Sequence, residues 1–199
     1  MQHTLCYSEN IRGKFPRSGN LPLSVFRPAF FRPILIAFFA LLMASCSTKS
    51  HLTQRDYRAL AKAGITLGMD IDYNDDHKLF LEASKWMGTP YRYGGNSKRG
   101  VDCSGLTRQI YRKVYHKRLS RRSDDQYTKD CKKIRRKGAL QQGDLVFFST
   151  PGSGKKCGHV GIFLKDGKFI HASSSRGVVV DRLDSNYWKK HWLSGGSVR

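Results

Sequence analysis

One change of hydrophobic period constrains the fold of this chain more than any other feature. Up to about residue 131 the apolar residues recur at helical spacing; from Asp144 onward they fall into short blocks and alternations. Leu79, Phe80, Ala83 and Trp86-Met87 form one helical stripe, and Leu106, Ile110, Tyr111, Val114 and Tyr115 form a second. Asn74 or Asp75 can cap the first of these helices, Asp76 to Met87, and Gly88 with Pro90 stops it. The second starts near Cys103, after a glycine-rich loop over Gly88 to Gly100, and runs to about Lys117. Gln54 to Asn74 is mixed, with a short helix around Arg55 to Ala63, and Ser123 can cap another over Asp124 to Cys131. Strands follow at 144–148, 159–165, 168–172, 177–182 and 192–198, with a short helix over 186–191. Asp166-Gly167 is a tight hairpin turn. Helices first and antiparallel strands after them predict an α+β fold.

The first 45 residues stand apart from that fold. Ile34 to Ser45 is an unbroken apolar and small-residue run, preceded by Arg12, Lys14, Arg17, Arg27 and Arg32 and followed by Cys46. This is the charged, apolar and small-residue order of a secretory signal. The run is shorter than the ~20 residues a membrane-spanning helix needs. Leu42-Met43-Ala44-Ser45-Cys46 resembles a bacterial lipoprotein lipobox, with Met43 a looser fit than leucine, and so predicts a lipid on Cys46. Ser47 follows the cysteine where an aspartate would retain the protein, which implies an outer-membrane anchor facing the periplasm. The chain therefore divides into a lipoprotein-type signal over 1–45, a tether and N-terminal extension over 46–73, and one domain over 74–199, expected to act as a monomer.

Charge and cysteines narrow the partners. The chain has 36 Lys and Arg against 15 Asp and Glu, of which five basic residues and one acid precede Cys46, leaving +17 on the rest. Such a charge favours a polyanion. Nucleic acid would rank first in a cytosolic protein, but the export signal and the lack of a nucleic-acid motif turn the expectation to anionic lipid, lipopolysaccharide and peptidoglycan. The basic residues cluster in Arg108 to Arg122 and in Lys129 to Lys137. Cys131 and Cys157 can pair under oxidising conditions or stay apart, and their spacing does not decide. Cys157-Gly158-His159 lacks the spacer usual between paired zinc ligands, so no metal and no cofactor are expected.

Cys103 carries the chemistry. It lies in Val101-Asp-Cys-Ser-Gly105, where the glycine-rich stretch becomes a helix, and His159 and His171 lie in two neighbouring strand segments. An unperturbed thiol has a pKa of about 8.5 and is mostly protonated near neutrality. Helix-start amides and an imidazolium both favour the nucleophilic thiolate. His159 can take the proton and return it to a leaving amine. His171 follows twelve positions later across the hairpin turn, a register that can put both rings on one sheet face and let His171 orient His159.

Five segments in order complete the pattern. Tyr91-Arg-Tyr-Gly-Gly95, Val101-Asp-Cys-Ser-Gly105, Gly143-Asp-Leu-Val-Phe-Phe148, His159-Val-Gly-Ile162 and Ile170-His-Ala-Ser173 resemble the NlpC-type family of cell-wall cysteine peptidases, in its Gram-negative lipoprotein branch. The resemblance covers roughly Asp76 to Arg199 and implies a papain-like α+β domain with the nucleophile on a helix packed against the histidine-bearing sheet. It implies an endopeptidase that hydrolyses an amide bond in peptidoglycan stem peptides or cross-links through a Cys-His-His triad. Tyr91 matches a tyrosine that helps form the oxyanion hole. Asp102 and Ser104 match positions lining the stem-peptide pocket, where Asp102 can meet an ammonium group. Arg121 and Gln126 match an arginine and a glutamine of a Pro-Arg loop, with Ser120 in place of the proline. The same triad serves amidases and acyltransferases, which release different products. A non-catalytic basic lipoprotein that only binds peptidoglycan would not need Cys103, His159 and His171 together.

Overall fold

Thr53 starts the first helix among the described residues, α1 (Gln54–Leu67): its hydroxyl accepts from the Asp56 amide, and the Asp56 carboxylate accepts from the Thr53 amide. Gly68, at φ 66°, closes it in the left-handed conformation. The computed structural model describes residues 52–151 and 156–198; the expected signal segment and Cys46 lie outside them. The sequence predicts a shorter helix, Arg55 to Ala63, within a tether and extension. Packing lengthens it: Leu60, Ala63, Gly64 and Leu67 are buried, and α1 lies against the next helix, α2 (His77–Trp86).

Asp76, not Asn74 or Asp75, caps α2, accepting from the Leu79 amide at 3.1 Å. Asp75 is occupied elsewhere, accepting from the Asp72 amide and from Lys165 and Gln142. Gly88 leaves the helix at φ 73°. The glycine-rich loop holds a small hairpin of β1 (Asn96–Ser97) and β2 (Gly100–Val101). Asp102 then caps α3 (Cys103–Val114). This helix ends before the expected Lys117, because the chain turns through a left-handed His116, φ 55°.

The segment after α3 departs furthest from expectation. A single turn, Ser123–Asp125, runs into a π turn, Gln126–Asp130, in place of one helix to Cys131. Ser123 makes no cap; its hydroxyl donates to the Cys157 carbonyl at 3.4 Å. Cys131–Ile134 is a strand, β3, that pairs with the strand Trp192–Val198.

The remaining strands follow the alternating pattern: β4 (Leu145–Phe148), β5 (His159–Phe163), β6 (Lys168–Ser173), β7 (Gly177–Arg182) and, after α4 (Asn186–His191), β8 (Trp192–Val198). They form one antiparallel six-stranded sheet in the order β3-β8-β4-β5-β6-β7. Asp166 and Gly167, at φ 52° and 73°, make the β5–β6 turn. One sheet face, with Phe147, Val160, Ile162 and Ile170, packs under α2 and α3. The other, with Val146, Phe148, Phe163 and Phe169, packs with Leu183 and Trp188. Burial at about 25 cal/mol per Å² makes these two apolar layers the main favourable term in the fold. Among the described residues no helix is long and apolar enough to cross a membrane.

Candidate active site

Cys103 is the first residue of α3, and the segment before it is pinned on both sides. The Val101 amide donates to the Pro90 carbonyl and the Arg92 amide to the Val101 carbonyl, which ties Tyr91 beside the segment leading into Cys103. Asp102 accepts from the Gly105 amide at 2.7 Å as helix cap and from the Gly94 amide at 2.9 Å. Gly105 is required here: a Cβ on it would stand 2.2 Å from the Gly95 carbonyl oxygen.

The thiol meets the sheet near the start of β5, where the Val160 amide favours its ionised form. Burial pushes the Cys103 thiol up to about 11, against the downward pull of the Val160, Ser104 and Cys103 amides. The helix-start effect expected from the sequence is present, but desolvation outweighs it. Burial, and then His171, hold the His159 ring down at about 3, against the raising effect of Asp181. Both directions favour a neutral thiol beside a neutral imidazole in the resting site.

His159 and His171 lie on one sheet face, with Phe163 and Phe169, as the alternation of β5 and β6 requires. His159 Nε2 and His171 Nδ1 are 3.0 Å apart, with the rings edge-on at 82°. Trp188 of α4 stacks on His159 at 5.3 Å and 24°. His171 Nε2 lies 3.0 Å from Asp181 Oδ2. Asp181 also accepts from Arg176 at 2.6 and 3.1 Å and from Trp188 Nε1 at 3.0 Å. Neither Asp181 nor Trp188 is a site residue by the sequence patterns. Strand parity carries the signal: Asp181 pairs with Phe169 and Val179 pairs with His171, so Asp181 shares the histidine face one diagonal away.

Two cavities meet at the thiol. One of about 760 Å³ extends past His159, His171, Ser173, Arg176 and Trp188; the other, about 420 Å³, extends past Tyr93, Asp102, Ser104 and Arg121. Tyr91, Cys103 and Gly158 border both. Burial, followed by the neighbouring Cys103, raises the Tyr91 phenol, which therefore stays protonated and able to donate.

Asp102 and Ser104 are buried and already partnered. Arg121 grips Asp102 at 2.6 and 3.0 Å and donates to Ser104 Oγ at 2.9 Å. An ammonium group reaching Asp102 would share it with Arg121. The Arg121 loop is held in a way a proline at position 120 would forbid: the Ser120 amide and hydroxyl both donate to Asp130. Gln126 is fully buried behind it, donating to the Ser104 and Ser120 carbonyls and accepting from Thr107. Cys131 and Cys157 are unpaired; Cys131 is half-buried against Gly196 and Cys157 is buried beside the His159 carbonyl. Among the described residues no group of three or more His, Cys, Asp or Glu is placed to hold a metal ion.

Comparison with known proteins places this geometry. A family model described as the NlpC/P60 family matches residues 88–197. A relative from Escherichia coli (strain K12), named probable endopeptidase NlpC, is 40% identical over 158 residues, spanning 79% of this chain and 94% of that protein. The murein DD-endopeptidase MepS/murein LD-carboxypeptidase of the same organism is 36% identical over 115 residues, 58% of each chain. A solved NLP/P60 family structure, described as similar to lipoprotein and from Staphylococcus aureus subsp. aureus Mu50, aligns with a TM-score of 0.55 at 35% identity, over 64% of this chain and 42% of that one. With helices packed on an antiparallel sheet, a family model that matches over half of its length and a relative covered almost end to end, this chain belongs to the NlpC/P60 family of papain-like α+β domains.

Proposed function

We propose that the protein is a peptidoglycan endopeptidase of the cell envelope, with Cys103 as nucleophile, His159 as base and His171 as its orienting partner. The observation that carries this is the hydrogen-bonded His159–His171 pair beside a helix-start thiol, in a cleft open to both sides. The endopeptidase names of the relatives support the substrate class. His159 takes the thiol proton as sulfur attacks the scissile carbonyl carbon. The oxyanion forms next to the Cys103 amide and the Tyr91 phenol, which donate to it. The C–N bond then breaks and His159 returns the proton to the leaving amine, leaving a thioester. Water, activated by the same imidazole, attacks the thioester and releases the carboxylate and the thiol.

Asp102, Ser104 and Arg121 form the wall that receives the stem peptide on one side of the thiol. A lipid on Cys46, outside the described residues, would tether the domain to the outer membrane on its periplasmic side, where it works as a monomer. Digestion of purified sacculi tests the activity: mass spectrometry should show hydrolysed stem peptides or cross-links with the wild type and none with Cys103→Ala. Transferred acyl groups in place of hydrolysed ends would instead make it an acyltransferase.

A further inference from the structure

His171 has two ring nitrogens and, when neutral, one proton to place. The side chain is 1% exposed, so both nitrogens must find partners inside the protein. One neighbour leaves no choice. Asp181 holds Oδ2 3.0 Å from His171 Nε2, and a carboxylate held well below its usual range by hydrogen bonds from His171, Arg176 and Trp188 can only accept. His171 Nε2 must therefore carry the proton. Its Nδ1 is then bare and accepts from Nε2–H of His159, 3.0 Å away. A neutral His159 with its proton on Nε2 has its lone pair on Nδ1. Among the described residues that nitrogen has no hydrogen-bond partner, and the ring borders the cleft that Cys103 also lines.

We propose that Asp181 is a positioning residue that sets the proton pattern of the histidine pair, so that His159 presents a bare Nδ1 to the thiol. The inference rests on the assignment of Cys103 and His159 as nucleophile and base. Without the carboxylate, the opposite pattern becomes available. His171 Nδ1–H would donate to His159 Nε2, and His159 would turn an N–H toward sulfur and could accept nothing from it. The anchors of Asp181 fit the role: Arg176 from the β6–β7 loop grips both oxygens, and Trp188, which stacks on His159, donates from its indole. One side chain thus ties the base's stacking partner to the orienter's proton.

Charge acts in the same direction. Among the described residues, the titratable and charged groups bordering the cleft beside the pair are Tyr91 from the loop before α3, Cys103 from α3, Asp181 from β7, Tyr187 from α4 and Arg176 from the β6–β7 loop, while Arg182 is paired with Asp184. Arg176 is 54% exposed and so largely screened, and the carboxylate therefore favours an imidazolium at His159, against the opposing effects of burial and of His171. Removing it should therefore lower the affinity of the pair for a proton.

Asp181→Asn and Asp181→Glu test this on a small soluble muropeptide. For Asp181→Asn, kcat should fall about tenfold or more, with KM within about twofold, because an interaction that matters in the transition state has gone. The limb of the pH profile set by the histidine pair should move to lower pH by about one unit, the smaller end of the effect of a nearby opposite charge. Asp181→Glu should recover part of both. A purely structural role would lower melting temperature and kcat while leaving that limb in place, and this result would overturn the proposal. A ¹⁵N NMR spectrum of the imidazoles in the wild-type protein reads the proton positions without any turnover. His171 protonated on Nε2 supports the proposal, and His171 protonated on Nδ1 overturns it. Activity surviving in Cys103→Ala would refute the catalytic assignment, and the NMR pattern would still decide the proton placement.

Discussion

Gly105→Ala sets two known effects against each other, and the structure decides between them. Gly105 lies in the first turn of α3 at an ordinary helical φ, so alanine brings no backbone strain. Helix propensity alone would favour alanine by up to about 1 kcal/mol. Against this, the new Cβ would stand 2.2 Å from the Gly95 carbonyl oxygen and 2.9 Å from Asp102 Oδ1. The first of these is backbone, and a rotamer change cannot move it. The loop is held to the helix by the Asp102 amide on the Gly95 carbonyl at 3.3 Å and by the Gly94 amide on Asp102 at 2.9 Å. Retreat of the loop breaks at least one of these bonds, costing about 0.5–1.5 kcal/mol. Overpacking adds roughly 1–3 kcal/mol. Subtracting the propensity gain leaves a destabilisation of about 0.5–3.5 kcal/mol, or a fall in Tm of roughly 2–12 °C for a unit of this size. Thermal unfolding by calorimetry reads this directly. Gly138→Ala is the internal control: its Cβ would meet nothing within 4 Å, so its Tm should stay within about 2 °C of wild type. If Gly105→Ala melts at or above wild type, the close approach of the 94–95 loop to α3 is wrong.

His159→Ala should be near-inactive, whereas His171→Gln should keep more activity, since an amide can still orient an imidazole; equal and complete loss in muropeptide assays would make His171 more than an orienter. Raising salt should weaken binding to whole sacculi far more than turnover of a soluble muropeptide, because surface charges reach only about 8 Å at physiological ionic strength. Neutralising Lys132, Arg135 and Arg136, which form no ion pair among the described residues, should mimic high salt in a sacculus pull-down; an equal loss on the soluble fragment would place them at the active site. Cys46→Ala should abolish incorporation of a radioactive fatty acid into the protein in cells, and labelling that persists would put the lipid elsewhere.

Much of the architecture is written locally. The stripes of α2 and α3, the Asp166-Gly167 turn and the blocks from β4 to β8 are patterns of neighbours a few residues apart, and the ends of β7, α4 and β8 coincide with the sequence reading. What the sequence hides depends on distant partners. β3 is Cys131-Lys-Lys-Ile134, a charged stretch that pairs only with β8 and forms the sheet edge, where lysines are favoured. α1 runs past Ala63 because α2 buries Leu67. The site shows the same division. Cys103, His159 and His171 stand in short segments with a recognisable order. Asp181, by contrast, looks like the polar end of a valine strand until the register of β6 and β7 shows which nitrogen it faces. The Asp102–Arg121 contact is equally silent, since it closes a 19-residue separation through a loop with no periodic pattern.

The place of β8 in the sheet bears on the fate of incomplete chains. β8 is the last strand in sequence, yet it lies between β3 and β4, and its neighbour β4, Leu145-Val-Phe-Phe148, is fully buried on both faces. Losing the residues of β8 would not trim a margin. It would strip one long side of an uncharged aromatic strand and leave it open to pair with other chains, the hazard associated with unguarded apolar edges. A molecule nicked near Trp192 should therefore precipitate or be degraded, and would not persist as a weakened hydrolase loose among the wall polymers.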